Sequence, residues 1–95
     1  MRNVFPFLIL FLLQQNYPNP FNPATAINYS LAKEGQVRLT VYNAIRSKVA
    51  ILVNENKPAG NYSVQFNGTN LASGIYLYRL ESGNNSTARK FILMK

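Results

Sequence analysis

The sequence predicts an all-β fold, a small β-sandwich of about seven antiparallel strands preceded by a hydrophobic leader, on three observations. Apolar residues alternate with polar ones in short runs, as in Ile27, Tyr29 and Leu31 or Val37, Leu39 and Val41, which is the period of a half-buried strand. Gly, Asn and Pro clusters break the chain about every 10 to 12 residues, the usual strand spacing of a sandwich. No longer stretch carries a helical apolar period. With 95 residues, 47% of them apolar and only 14% charged, the chain suffices for one core and no second.

The elements follow in order. Residues 1–13 read as a hydrophobic leader or signal-peptide-like segment, with one cation at Arg2 and an apolar run from Val4 to Leu13 broken only by Pro6. A membrane-spanning helix needs about 20 apolar residues, so this length suits the apolar region of a secretory leader. A small-x-small cleavage pattern is missing, and the other reading is a remnant of a longer reading frame. Residues 14–24 form a Pro-rich lead-in strand or linker, Tyr17-Pro18-Asn19-Pro20-Phe21-Asn22-Pro23. Each proline fixes its own φ and drives the residue before it into an extended conformation, so the strip is stiff. Lacking amide donors, it belongs at a sheet edge or in a linker, anchored by Tyr17 and Phe21, with a short seventh strand expected near Tyr17 to Asn22.

Residues 25–95 form the folded body. Ile27 to Leu31 and Val37 to Val41 are expected as adjacent hairpin strands joined at Glu34-Gly35. Val49, Ile51 and Val53 make the next strand, and Asn54-Glu55-Asn56-Lys57-Pro58 a polar loop. Tyr62, Val64 and Phe66 define a further strand. Another runs from Ile75 to Leu80, and after a turn at Gly83-Asn84-Asn85 the last covers Thr87 to Met94. Gly60 and Gly74 each stand two residues before a tyrosine, Tyr62 and Tyr76, at strand starts that call for a positive φ or a close backbone approach. Tyr29, Tyr42, Tyr62, Tyr76 and Tyr78 are expected to fill the core while keeping their hydroxyls for its rim.

Composition removes most chemistry. His, Cys and Asp are absent, and the acids are Glu34, Glu55 and Glu81, in turns or at a strand end. No catalytic, cofactor-binding or metal-binding residues are assigned, and no cofactor is expected. The net charge of +7 raises nucleic acid as a partner, but the cations are scattered along the chain without a basic run longer than Arg89-Lys90, which argues against it. A cell-surface adhesion or carbohydrate-binding sandwich module remains the alternative, since tyrosines stack on sugars and fold does not fix function.

The strip Gln15-Asn16-Tyr17-Pro18-Asn19-Pro20-Phe21-Asn22-Pro23, followed by Thr25, Ile27, Tyr29 and Leu31, resembles the opening of the type A C-terminal sorting domain of type IX secretion cargo proteins, which overlaps the flagellar hook-capping-protein-like Ig family. Val37 to Asn43, Pro58 to Tyr62 and Asn70-Leu71-Ala72-Ser73-Gly74-Ile75-Tyr76 are similar to its successive blocks, and Arg89 to Lys95 to its basic, apolar end. The resemblance implies an Ig-like sandwich at residues 25–95 that serves as a sorting signal and catalyses nothing. It implies export to the periplasm, then secretion or display at the cell surface, with the translocon and its sorting peptidase as partners of a monomeric domain. Membrane contact is expected only through the leader. Lys90, Phe91, Ile92, Leu93, Met94 and Lys95 are the implied recognition residues; Phe91 and Leu93 should project to one side of the strand, and Lys90, Ile92 and Met94 to the other. Tyr17 to Pro23, Gly60, Tyr62, Leu71, Gly74 and Tyr76 are the implied structural positions. In two respects the sequence departs from the pattern. Ala44-Ile45-Arg46-Ser47 lacks the turn glycine of relatives, so Arg46 or a neighbour is expected to adopt a left-handed conformation at a cost of roughly 1 kcal/mol. Relatives also carry the domain behind a long cargo, so an orphan fragment of a longer secreted protein is another reading.

Overall fold

The computed structural model describes residues 11–95. Residues 1–10, most of the expected leader, lie outside the described part. The rest is seven strands with no helix among the described residues: β1 (Phe11–Leu13), β2 (Ala24–Leu31), β3 (Gly35–Asn43), β4 (Lys48–Lys57), β5 (Gly60–Asn67), β6 (Gly74–Ser82) and β7 (Asn85–Leu93). They form a three-stranded sheet, β1-β2-β5, and a four-stranded sheet, β4-β3-β6-β7, antiparallel throughout. The expected all-β sandwich is what the chain forms. Phe11–Leu13, the end of the segment read as the leader, pair with Tyr29–Leu31 as β1, and Leu13 is buried.

Alternation sets the two faces of each sheet. On β3 the side chains of Val37, Leu39 and Val41 are all fully buried, and each contributes about 1.5–3 kcal/mol of apolar burial. Ile27, Tyr29 and Leu31 from β2 meet them from the other sheet, and Tyr76, Tyr78 and Leu80 of the neighbouring strand β6 extend the same buried face. One end of the core is aromatic. Phe91 stacks on Phe21 at 5.0 Å between ring centroids, meets Tyr78 edge-on at 4.9 Å, and lies 5.6 Å from Phe66 and 6.3 Å from Tyr76. Such pairs add about 0.5–1.5 kcal/mol each beyond their burial.

Three expectations are corrected. First, β2 and β3 are not hairpin partners: β2 pairs with β1 and β5, and the chain crosses to the other sheet between Leu31 and Gly35. Alternation reports which side chains face the core, and two strands facing one another across a sandwich show the same pattern as two neighbours in a sheet. Second, Asn54–Lys57 is strand and not loop, paired with Gly35–Arg38 through the end of β4. As β4 is an edge strand and Asn54, Glu55 and Asn56 are all exposed, polar side chains are tolerated there on both faces. Third, Tyr17 to Asn22 makes no strand; it is held by isolated bridges, Tyr17 to Ala26 and Phe21 to Leu93.

Candidate functional site: the last strand and its cover

β7 is the outer strand of the four-stranded sheet, so one row of its main-chain groups points away from β6. Such a row is an open template for another strand unless something occupies it. Here the Pro-rich strip does so. Phe21 donates its N–H to the Ile92 carbonyl (2.9 Å) and accepts from the Met94 N–H (3.0 Å), forming a parallel bridge. The Ile92 N–H donates to Asn19 Oδ1 (3.0 Å), and the Lys90 carbonyl accepts from Gln15 Nε2 (2.9 Å). One residue further back, Arg89 Nε donates to the Leu13 carbonyl (2.8 Å), tying β7 to β1.

The strip itself is held by a buried polar knot. The fully buried Tyr78 donates its hydroxyl to the Gln14 carbonyl (2.6 Å) and accepts the Asn16 N–H (2.8 Å). Burial raises the Tyr78 pKa above the ordinary tyrosine value, against the lowering effects of its bond with Asn16 and of the Arg89 charge. Asn16, also buried, donates through Nδ2 to the Pro18 carbonyl and Thr25 Oγ1, both at 3.0 Å, and Thr25 Oγ1 donates to the same carbonyl (2.8 Å). The three X-Pro bonds of the strip are cis. Phe21 is buried in the aromatic cluster, whereas Tyr17 is 81% exposed.

The six implied recognition residues are split by the pleat of the strand. Phe91 and Leu93 are fully buried, while Lys90, Ile92, Met94 and Lys95 are exposed. The sides fall as alternation requires. Lys95 is tethered by its N–H to Ser73 Oγ (3.0 Å) and by its ammonium to the Thr69 carbonyl. Gly68 leaves room for Leu93, whose Cδ2 would stand 3.0 Å from a Cβ built there.

The remaining motif positions repeat one local device. Gly60 and Gly74 have φ of 154° and 156°, a region that is essentially glycine's alone. Two residues on, Tyr62 donates its hydroxyl to the Pro58 carbonyl and Tyr76 donates its own to the Ala72 carbonyl, each at 2.6 Å and each four residues back. In both cases a tyrosine ties down the loop that leads into its strand, and the glycine lets the backbone turn beneath it. Leu71 is half-buried and packs on the core, its N–H donating to the Gly68 carbonyl (2.9 Å). The turn without glycine takes the expected form: Arg46 has φ of 68°. Asn43 braces it, its side-chain Oδ1 accepting from the N–H groups of Ile45 (3.1 Å) and Ser47 (2.9 Å).

Sequence reasoning did not find Gln15, Asn16, Tyr78 or Arg89 as the holders of the strip against β7. Their contacts join positions 62 to 76 residues apart, which no local pattern announces.

A family model described as the secretion system C-terminal sorting domain matches residues 15–94. The crystal structure of dimeric latent PorU from Porphyromonas gingivalis is similar over 90% of this chain, with a TM-score of 0.67 and 16% identity. This chain spans 10% of the length of that PorU chain, and at such an identity the likeness is one of fold. No curated protein matches the sequence. The matched span opens at Gln15, where the cover of β7 begins, and closes at Met94, the residue that bonds Phe21, so the chain belongs to the secretion system C-terminal sorting domain family.

Proposed function

We propose that this domain is the address of a cargo secreted by the type IX route. It is exported to the periplasm and presents its last strand to the outer-membrane translocon and a sorting peptidase. The cargo is then released or fixed at the cell surface. The domain catalyses nothing and acts as a monomer. The observation that carries this reading is the position of β7 within the family-matched span: it is an edge strand whose Phe91 and Leu93 hold the core while Lys90, Ile92, Met94 and Lys95 face outward.

The geometry refines how the tail is read. Simple strand addition at Lys90 to Met94 meets an edge already occupied by Gln15, Asn19 and Phe21. Recognition therefore uses the outward side chains directly, or it displaces the strip first.

The test is a periplasmic reporter fused ahead of residues 11–95, expressed in a host with a working type IX apparatus. The fusion starts at Phe11 because β1 is part of the sheet. Cutting off Phe91 to Lys95 removes core as well as signal, so the informative variant is Ile92→Ser/Met94→Ser/Lys95→Gln, which leaves Phe91 and Leu93 in place. The reporter should reach the surface with the native tail and stay in the periplasm with the variant. Equal surface delivery by both sinks the reading.

A glycan-binding role has one observation in its favour. The outer face of the β1-β2-β5 sheet has a shallow groove lined by Gln14, Asn28, Ser30, Asn61 and Ser63 beside Tyr29, Tyr62 and Leu12, uncharged amides, hydroxyls and rings with one aliphatic side chain. Retention on a neutral glycan array that is lost with Asn28→Ala/Asn61→Ala would support it, and no retention would remove it.

A further inference from the structure

The cations that look scattered along the sequence are gathered by the fold. On the outer face of the four-stranded sheet, the registers place Lys48, Tyr42, Leu77 and Lys90 in one row across β4, β3, β6 and β7. Ile51, Thr40, Arg79 and Ala88 make the next row, and Asn54, Arg38, Glu81 and Ser86 the one beyond. On the other side of the first row, Ile75 pairs with Ile92. The Ala44 to Ser47 turn lies against that end, because Ala44 and Arg46 line one groove with Ile75, Leu77, Ala88 and Lys90.

This face holds five cations, Arg38, Arg46, Lys48, Arg79 and Lys90, and one carboxylate, Glu81. Glu81 is shared between Arg38 (3.6 Å) and Arg79 (3.7 Å). Arg46, Lys48 and Lys90 have no carboxylate partner among the described residues. Beside them stand large apolar side chains in water: Ile45 at the tip of the turn is 81% exposed, Ile75 is half exposed, and Ile92 and Met94 are exposed. Arg46 adds an independent sign. It occupies a left-handed backbone position where glycine would be free of strain, and lines both grooves of this face.

We propose that this face docks on an anionic lipid surface, with Ile45, Ile75 and Ile92 entering the headgroup boundary and Arg46, Lys48 and Lys90 paired with lipid phosphates. The arrangement favours lipid over an acidic protein. A protein interface encloses its apolar centre in a polar rim. Here the most exposed apolar group, Ile45, stands at the tip and the cations lie behind it, which is the order of an element that dips into a membrane interface. The proposal does not rest on the sorting reading, and either can fail alone.

The test measures binding of the full chain to vesicles of phosphatidylcholine alone and of phosphatidylcholine with phosphatidylglycerol, by sedimentation. Neutral vesicles set the baseline, including any contribution of residues 1–13. The anionic vesicles should bind at least tenfold better, and 0.5 M salt should remove the difference. Each cation near the surface is worth about fivefold, so Arg46→Gly should lose about that much and Arg46→Gly/Lys90→Gln more than tenfold. Ile45→Ser/Ile75→Ser should weaken anionic binding with the cations intact. Arg46→Gly relieves the backbone, so its loss cannot come from unfolding, and its circular dichroism should match the parent. Equal binding to both vesicle types, or unchanged binding by Arg46→Gly, overturns the proposal. So does binding to polyglutamate without binding to anionic vesicles, which would assign the face to an acidic protein.

Discussion

Removing one oxygen from Tyr78 should destabilise the domain more than its size suggests. Tyr78→Phe keeps the ring against Phe91 but deletes both hydrogen bonds to the strip, from the hydroxyl to the Gln14 carbonyl and from the Asn16 N–H to the hydroxyl. Gln14 is exposed, so water can replace the first bond, and its loss costs about 0.5–1.5 kcal/mol. Asn16 is 3% exposed, so its N–H is left unpaired in a buried place, at about 1–3 kcal/mol. The sum is about 1.5–4.5 kcal/mol, a large share of the stability of a domain this small. At about 4–8 °C per kcal/mol, the melting temperature should fall by roughly 6–36 °C. Thermal and urea unfolding of the parent and the variant measure the loss, and hydrogen exchange locates it, since the Asn16 amide should lose protection before the amides of β3. A loss below about 0.5 kcal/mol would mean that the strip is not held by this hydroxyl.

The opposite outcome is expected at Tyr29, which is buried with its hydroxyl unpaired: Tyr29→Phe should be neutral or stabilising by up to about 1 kcal/mol in the same urea titration. Arg46→Gly exchanges a left-handed arginine for a residue at ease there, and should raise or hold the unfolding midpoint, by up to about 1 kcal/mol; a clear fall would show that the φ of 68° is not strained. Burial is the leading cause of the raised pKa of both Tyr29 and Tyr78, so folding favours their neutral forms. Their contribution is complete below the ordinary tyrosine pKa of about 10 and is lost as pH rises through the higher folded values, so the urea midpoint should drop in that alkaline range and drop less in Tyr29→Phe.

How much of this was legible in the sequence depended on the kind of information each residue carries. The strands through Leu39, Val64, Tyr78 and Phe91 could be read because apolar residues alternate with polar ones along much of each. The sheet to which a strand belongs could not, since Ile27 and Val37 show the same alternation whether their strands pair or face one another. The polar end of β4 was missed because Asn54, Glu55 and Asn56 are all exposed on an edge strand, which leaves no buried side to alternate with. Gly60 and Gly74 were legible for a stricter reason, as backbone sterics leave few alternatives at a sharp turn, whereas Arg46 was marked out only by the glycine that the family it resembles carries in that turn. The hold of Gln15 and Asn19 on β7 was not, because a hydrogen bond between residues more than seventy positions apart leaves no period or spacing behind.

That hold bears on how the signal is read. Four hydrogen bonds connect the strip to the outer edge between Lys90 and Met94: two from the Phe21 main chain and one each from the Gln15 and Asn19 side chains. A partner strand would replace them nearly one for one, so peeling Asn19 to Phe21 while the Tyr78 knot stays closed costs mainly the withdrawal of the Phe21 ring from its stack on Phe91, about 1.5–3 kcal/mol. This is small enough for a binding partner to supply, and it separates two modes of recognition. Gln15→Ala/Asn19→Ala frees two of the edge groups without touching the outward side chains, and should speed hydrogen exchange at the Ile92 amide. If a partner reads β7 by adding a strand, the same variant should bind it several-fold more tightly. If the partner reads Lys90, Ile92 and Met94 as side chains, binding should be unchanged while exchange is faster. Unchanged exchange at Ile92 would refute the idea that these two side chains cover the edge at all.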